Sequence, residues 1–396
     1  MTDRSAPESL PHAGADRGFS TRAIHDGQSF DPRTGAVIPP IFMTSTFVQD
    51  GVGGFRDGYE YSRGGNPSRD ALQLQLASLE GGSHAYTFGS GLAAEDAVLR
   101  AALQPGDHVL MGNDVYGGTH RLVSQVWERW GVEITTADAS DLDAVRAAMR
   151  PNTRVLWVET PSNPLMKVAD IAGLAELGHA AGAIVVADNT FATPYLQQPL
   201  RLGADVVVHS TTKYIGGHSD LVGGAAVTAD AALAERIAFQ QFAVGAVNSP
   251  FDAWLTSRSL KTLAVRMDRH CSNAQAVAEA LVGNPAITAV HYPGLPDHPQ
   301  HELASRQMRG FGGMVSMQLA GGHEAALELV RRTRVFQLAE SLGGVESLVC
   351  LPSEMTHASV KGTELAVPDD LLRLSVGLED SDDQIADLLG ALASLS

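Results

Sequence analysis

The sequence predicts an α/β protein: a large, mostly parallel seven-stranded sheet, followed by a smaller α+β segment. Three observations carry this. Short, nearly continuous apolar runs recur between residues 84 and 228, amphipathic stretches separate most of them, and after about residue 262 that rhythm changes. Strands that are apolar along their whole length need cover on both faces, and helices between them supply both the cover and the crossovers of parallel pairing.

The elements follow in order. Asn66-Pro67 opens a helix, with Asn66 as cap and Pro67 at the first helical position, where its missing N–H costs nothing. The expected strands are HAYTF (84–88), DHVLM (107–111), VEITT (132–136), RVLWV (154–158), AIVVA (183–187), DVVVH (205–209) and GAAVT (224–228). Helical stretches such as DLDAVRAAM (141–149) and DIAGLAELGHAAG (170–182) lie between them. Beyond come a helix NAQAVAEALVG (273–283), strands in ITAVHY (287–292) and GGMVSMQLA (312–320), a helix over 322–333, strands in ESLVC (346–350) and LLRLSVG (371–377), and a last helix. Residues 1–63 are expected to form an arm, 64–262 a large domain and 263–396 a smaller one; a chain of 396 residues exceeds one ordinary core.

Composition excludes several partners. A formal net charge of −17 argues against nucleic acid and anionic membranes. Two cysteines, Cys271 and Cys350, stand in no metal-binding or redox spacing and read as packed thiols of a reducing compartment. The opening MTDRSAPESLPHAGADRG lacks the apolar centre of a secretory signal and reads as a flexible arm. No apolar run approaches the length of a membrane span. A cytoplasmic protein is expected.

In open parallel sheets, ligands bind beyond the carboxyl ends of the strands. Four of those ends carry unusual residues. GSGLAAEDAV follows the first strand, a glycine turn opening a helix whose Gly91 and Leu92 amides face an anion. ETPSNP sets Asn163 between two prolines, ADNTF puts Asp188 at the lip of a buried strand, and HSTTKY puts Ser210, Thr212 and Lys213 at another. Each feature alone has a bland reading as a turn, a cap or a solvated strand end. Together, an anion cradle, a buried carboxylate and a desolvated lysine describe a pyridoxal 5'-phosphate site. The lysine amine takes the aldehyde, the carboxylate keeps the pyridine nitrogen protonated, and hydroxyls and helix-terminal amides hold the phosphate.

Longer motifs carry a resemblance. YSRGGNPS (61–68), DVYGGTHRL (114–122), ETPSNP (159–164), ADNTF (187–191), HSTTKYIGGHSDLVGG (209–224), AESLGGVESL (339–348) and LLRLSVGLED (371–380) resemble the cystathionine γ-synthase/γ-lyase family. These are pyridoxal-phosphate enzymes of Cys/Met metabolism with the type I aminotransferase fold. The resemblance implies that Lys213 binds the cofactor covalently and that Asp188 partners its ring nitrogen. Ser210, Thr212 and the Gly91–Leu92 backbone would hold the phosphate, and Tyr116 would stack on the ring and serve in proton transfer. Tyr61 and Arg63 would reach the phosphate of a neighbouring subunit, giving a homotetramer built from dimers with shared sites. Arg373 would clamp the substrate α-carboxylate, helped by Ser341 and Asn163.

Two positions speak to substrate. Glu340 resembles the γ-synthase and γ-lyase branches, where an acid suits the distal amine of cystathionine or cysteine, rather than the β-lyase branch. Gly118 stands where methionine γ-lyases typically carry cysteine, and MTHASVKG (355–362) departs from the commoner MTHASIP. Lyase and synthase share almost every motif residue. The first expectation is cystathionine γ-lyase, then cystathionine γ-synthase, then methionine γ-lyase. A metal-dependent hydrolase is the rival from another class. His291, His298 and His301 invite a zinc reading, but they sit in a Pro/Gly loop rather than on a rigid helix, so no metal is expected. A catalytically dead scaffold would have lost Lys213 or Asp188, and both are present.

Overall fold

A computed structural model of the chain describes residues 17–357, 362 and 365–395. Most of the expected arm's first stretch (1–16) and Ala358–Lys361 of the substrate loop therefore lie outside the described residues.

Seven strands form one sheet: β1 (His84–Phe88), β2 (His108–Gly112), β3 (Glu133–Ala137), β4 (Thr153–Glu159), β5 (Ile184–Asp188), β6 (Val206–Ser210) and β7 (Gly224–Thr228). Their order is β1-β7-β6-β5-β4-β2-β3. The five from β6 to β3 are parallel, and β7 runs antiparallel to both β6 and β1. The reversal has a local cause: no helix lies between Ser210 and Gly224, so there is no crossover to return the chain in the same direction. β1, β2 and β7 are buried throughout, whereas the edge strand β3, with its polar Glu133 and threonines, is half-exposed.

Several strands end a residue later than the apolar runs suggest. Asp188 still pairs with Glu159 and Val208, and Ser210 with Gly224. These polar residues are thus fixed by the ladder itself. Helix Gly91–Ala102 covers one face, burying Ala94, Ala97 and Val98, and helix Pro67–Glu80 covers the other. Asn66 caps the latter as expected: its side chain accepts from the Ser68 N–H at 3.0 Å.

The second sheet joins β8 (Ile287–His291), β9 (Met314–Leu319), β10 (Gln337–Leu338), β11 (Leu348–Cys350) and β12 (Leu371–Ser375) in the order β10-β11-β12-β9-β8. Helices Leu263–Leu281, Gly322–Arg332 and Ser381–Ala393 pack on it. The first of these begins ten residues before the expected helix at 273. Polar residues on its inner face hid the period. Arg266 donates to the Tyr214 carbonyl at 2.6 Å, the His270 ring bonds the Val376 carbonyl at 2.7 Å, and Asn273 donates to the Gly377 carbonyl at 3.0 Å. His301 likewise starts a short helix, His301–Gln307, rather than staying in the loop. Cys350 is buried, but Cys271 is only half-buried.

Gly224, the first residue of β7, shows how tightly the sheet edge holds the following helix. A Cβ there would lie 2.1 Å from the Ser90 carbonyl oxygen and 2.8 Å from the Gly91 Cα. Gly224→Ala is expected to push the start of helix Gly91–Ala102 off the sheet, costing roughly 1–3 kcal/mol and weakening anion binding at that terminus. Thermal unfolding and phosphate-ester affinity measure both, and an unchanged pair of values would show that the contact yields.

Candidate active site

β1 and β6 share a direction because each is antiparallel to β7, and β4, β5 and β6 are parallel. The carboxyl ends of all four strands therefore open on one edge. Helix Gly91–Ala102 starts two residues after β1, with the Ser90 hydroxyl accepting from the Ala93 N–H at 3.1 Å. The amides of the first turn, Gly91 and Leu92, have no intrahelical acceptor. Gly91 lies against β6, where a Cβ would come within 2.9 Å of the Ser210 Cβ. Thr212 is tied alongside: its hydroxyl accepts from the Gly223 N–H at 3.1 Å. The Ser210 and Thr212 side chains and the amino end of the helix thus lie along one edge of the sheet.

Lys213 follows at once. Its ammonium donates to the Ser341 hydroxyl at 2.8 Å. Burial, aided by the nearby Arg373 charge and opposed by Glu340, pulls its pKa down to about 8. Asp188 is buried at the end of β5, with the Thr190 N–H donating to its Oδ1 at 2.9 Å. Burial raises its pKa, while Thr190 and His209 favour the ionised form.

The second sheet supplies the other wall. Arg373, in the middle of β12, is 2% exposed, so strand alternation does not turn it to solvent. One guanidinium nitrogen donates to Asn163 Oδ1 at 2.8 Å and the other to the Ser341 carbonyl at 3.1 Å. Ser341 holds a φ of +93°, a left-handed conformation that costs a non-glycine residue of order 1–3 kcal/mol. It touches both Lys213 and Arg373, one through its hydroxyl and one through its carbonyl. Tyr116 is anchored by its N–H, which donates to Glu159 Oε2 at 2.8 Å. Its ring lies where a Gly118 Cβ would come within 2.3 Å, so Gly118 gives the phenol room. Burial chiefly raises the Tyr116 pKa, with Arg121, Glu95, Glu340 and Arg373 acting on it in that order. Glu340 is exposed at the same mouth.

Tyr61 and Arg63 are not part of this constellation within the chain. Tyr61 is 47% exposed, and Arg63 donates to the Phe242 carbonyl at 2.8 Å while stacking 4.7 Å over the Phe242 ring. Of the three histidines expected in a loop, His291 ends β8 and His301 starts a helix, and their partners are ordinary: His291 bonds Gln318 at 3.1 Å and His301 bonds the Pro293 carbonyl at 2.8 Å. Among the described residues, no three His, Cys, Asp or Glu side chains gather as a metal site. Sequence reasoning missed Glu95, Glu159 and Arg121. All three stood inside quoted motifs, but the task of Glu159 comes from its partnership with the Tyr116 amide, and no local pattern announces that.

The family of Cys/Met metabolism PLP-dependent enzymes matches residues 20–393. The chain belongs to this family. Within it, the chain is 62% identical over 375 residues to cystathionine gamma-synthase of Mycobacterium tuberculosis, covering 95% of this chain and 96% of that one. It is 49% identical to cystathionine beta-lyase of Coxiella burnetii, over 94% of this chain and 97% of the relative. The crystal structure of metB from Corynebacterium glutamicum superposes with a TM-score of 0.95 at 52% identity, covering 96% and 99% of the two chains. Pyridoxal phosphate is the cofactor of these enzymes, and the residues present fit it. A desolvated amine, a buried carboxylate and a cradle that a Cβ at Gly91 would fill lie on one strand edge.

In the cofactor-free protein, acylation of Lys213 by a small reagent should therefore titrate with a midpoint of about 8. Peptide mass spectrometry across pH reads it directly. A midpoint near the ordinary lysine value of about 10.4 would mean that the amine is hydrated.

Proposed function

We propose that the chain is a cystathionine γ-synthase, which joins the sulfur of cysteine to the γ-carbon of an activated homoserine. The observation that carries this is its 62% identity to a cystathionine gamma-synthase across 95% of its length, against 49% to a cystathionine beta-lyase. The order expected from the motifs, γ-lyase first, is thereby reversed. Both reactions share their early steps, and the motif residues serve either.

The bound cofactor supplies an electron sink that makes first the Cα and then the Cβ proton of the amino acid removable. The chain does the rest. Arg373 clamps the α-carboxylate through its two terminal nitrogens, with Asn163 and the Ser341 carbonyl orienting the fork. The Lys213 amine takes the Cα proton, and its low pKa keeps it competent as a base near neutrality. Once it has passed that first proton on to solvent, the same amine takes one from Cβ. With that proton gone, the acyl group departs from Cγ as a carboxylate and the cysteine thiolate adds there. Lys213 then returns protons to Cβ and Cα. Tyr116, fixed by Glu159, covers the opposite side and assists the transfers. Exposed Glu340 faces the amine of the incoming cysteine. Ser210, Thr212 and the Gly91–Leu92 amides hold the phosphate, and Asp188 holds the ring nitrogen.

Each site takes Tyr61 and Arg63 from a neighbouring copy, which makes the working unit a dimer, paired again into a tetramer. Supporting this, Val37, Met43, Phe239 and Phe242 are all at least half exposed around the arm, apolar surface that a second copy would cover.

Purified enzyme should form cystathionine from an acylated homoserine and cysteine at least tenfold faster than it releases 2-oxobutyrate from cystathionine. The opposite ratio would restore the γ-lyase reading.

Co-expression tests the shared site. Chains carrying Lys213→Ala and chains carrying Arg63→Ala should each be inactive or crippled, yet about a quarter of all sites should regain activity after random pairing into isologous dimers. No recovery in confirmed mixed dimers would rule the exchange out.

A further inference from the structure

One buried acid behind the site has no role in the reaction above. Glu95 lies one turn into helix Gly91–Ala102, is 5% exposed, and its Oε2 has no hydrogen-bond donor among the described residues. Glu159, 8% exposed, stands beside Asp188 in the β4–β5 register. Three carboxyls on three elements are thus buried. Asp188 is the first charge acting on both Glu95 and Glu159, and Glu95 acts in turn on Glu159 and on Tyr116. Also facing the cluster are His209 beside Asp188, itself paired with Glu80, Asp114 beside Glu159, and Arg121, Glu340 and Arg373 beside Tyr116.

Burial and the Asp188 charge both disfavour ionisation of Glu95 and Glu159, so protons stay on some of the acids. Hydrogen-bond donors decide which. Asp188 takes the Thr190 N–H at 2.9 Å and the Thr190 hydroxyl, whose oxygen accepts from the Ser210 N–H at 3.0 Å and so leaves its own hydrogen free to donate. Glu159 takes the Tyr116 N–H at 2.8 Å. Glu95 has only the Thr119 hydroxyl beside it. Of the three, Glu95 is least equipped to carry charge.

We propose that Glu95 is a positioning residue for Asp188: it stays in the cluster as the neutral acid and confines the negative charge to the carboxylate that meets the cofactor's ring nitrogen. The inference rests on that reading of Asp188. It also makes stability depend on pH with a definite sign. Burial and Asp188 raise the folded-state pKa of Glu95 well above its ordinary value, while in the unfolded chain it ionises at about 4.3. Between those values the folded protein holds the extra proton. The contribution is therefore full below about 4.3 and is lost as pH rises through the folded pKa.

The test is the holoenzyme with Glu95→Gln, a neutral amide of nearly the same shape. Its melting temperature should gain on the wild type by roughly 2–4 °C between pH 6 and pH 9, because the amide has no proton to lose. A merely structural role would give a gap independent of pH, and that result would overturn the proposal. Pyridoxal phosphate affinity at pH 7 should stay within about twofold, since the amide mimics the neutral acid; a loss beyond tenfold also overturns it. Should the variant not fold, the infrared carbonyl band of a protonated buried carboxyl is sought in the wild type at pH 7, and its absence counts against the proposal. Asp188→Asn separates the two readings. Normal cofactor retention there would overturn the role of Asp188 itself, while a pH-dependent gap at Glu95 that shrinks in this background supports both.

Discussion

Charge taken out of water at the carboxyl edge of the seven-stranded sheet is the constraint on which the rest of the structure depends. Lys213, Asp188 and Arg373 all lie there with little or no hydration, alongside the buried acids Glu159 and Glu95. An unpaired buried ion costs several kcal/mol. The fold answers with fixed donors and acceptors rather than with salt bridges. Arg373 bonds an amide oxygen and a backbone carbonyl, Lys213 bonds a hydroxyl, and Asp188 takes a backbone amide. None of these partners is itself a charge. Arg373 and Lys213, the proposed clamp and base, are thus held in place without being neutralised.

That economy explains why the site needs both sheets. The first supplies the cradle, the amine and the carboxylate: the ladder holds Asp188 and Ser210, and Thr212 and Lys213 lie in the turn that follows β6. The second supplies Arg373 from the interior of β12, which pairs with β9 and β11 on either side and is therefore as rigid as any position in that sheet. A short helix, Gly117–Arg121, carries Tyr116 at its amino end, and the chain then passes through a π-helical turn, Leu122–Trp127. Such turns are rare and frequently lie beside functional sites. Here the turn directly follows the helix that Tyr116 begins.

The strands of the first sheet were legible because burial on both faces leaves an uninterrupted apolar signature. The cluster at the strand ends was legible because its polar residues follow those apolar strands at once. What lay hidden was polar burial. Arg266, His270 and Asn273 face the core of helix Leu263–Leu281 and interrupt its period, each satisfied by a distant carbonyl that no local pattern shows. Glu95 looked like one more charge on a helix, and only packing reveals that it is buried. Arg373 was legible as a family motif but not as a buried side chain. A strand of the pattern L-L-R-L-S is equally consistent with an exposed arginine, and it is the Asn163 oxygen, more than two hundred residues earlier, that holds it inside. The reaction itself was least legible, since lyase and synthase draw on the same groups and differ in what reaches the mouth of the site.

Ser341 is where these separate demands meet. It is a non-glycine residue in the left-handed region, it bonds the amine of Lys213 through its side chain, and it bonds Arg373 through its carbonyl. Glycine would relieve the strain but would remove the hydroxyl that gives the buried ammonium an acceptor. Any residue without an oxygen at that position would leave Lys213 poorer by one hydrogen bond in a region where such a loss costs about 1–3 kcal/mol. The strained backbone is thus the cost of a single residue that serves the base and the carboxylate clamp together. It also joins Lys213 to Arg373, the proposed base and carboxylate clamp, through one residue.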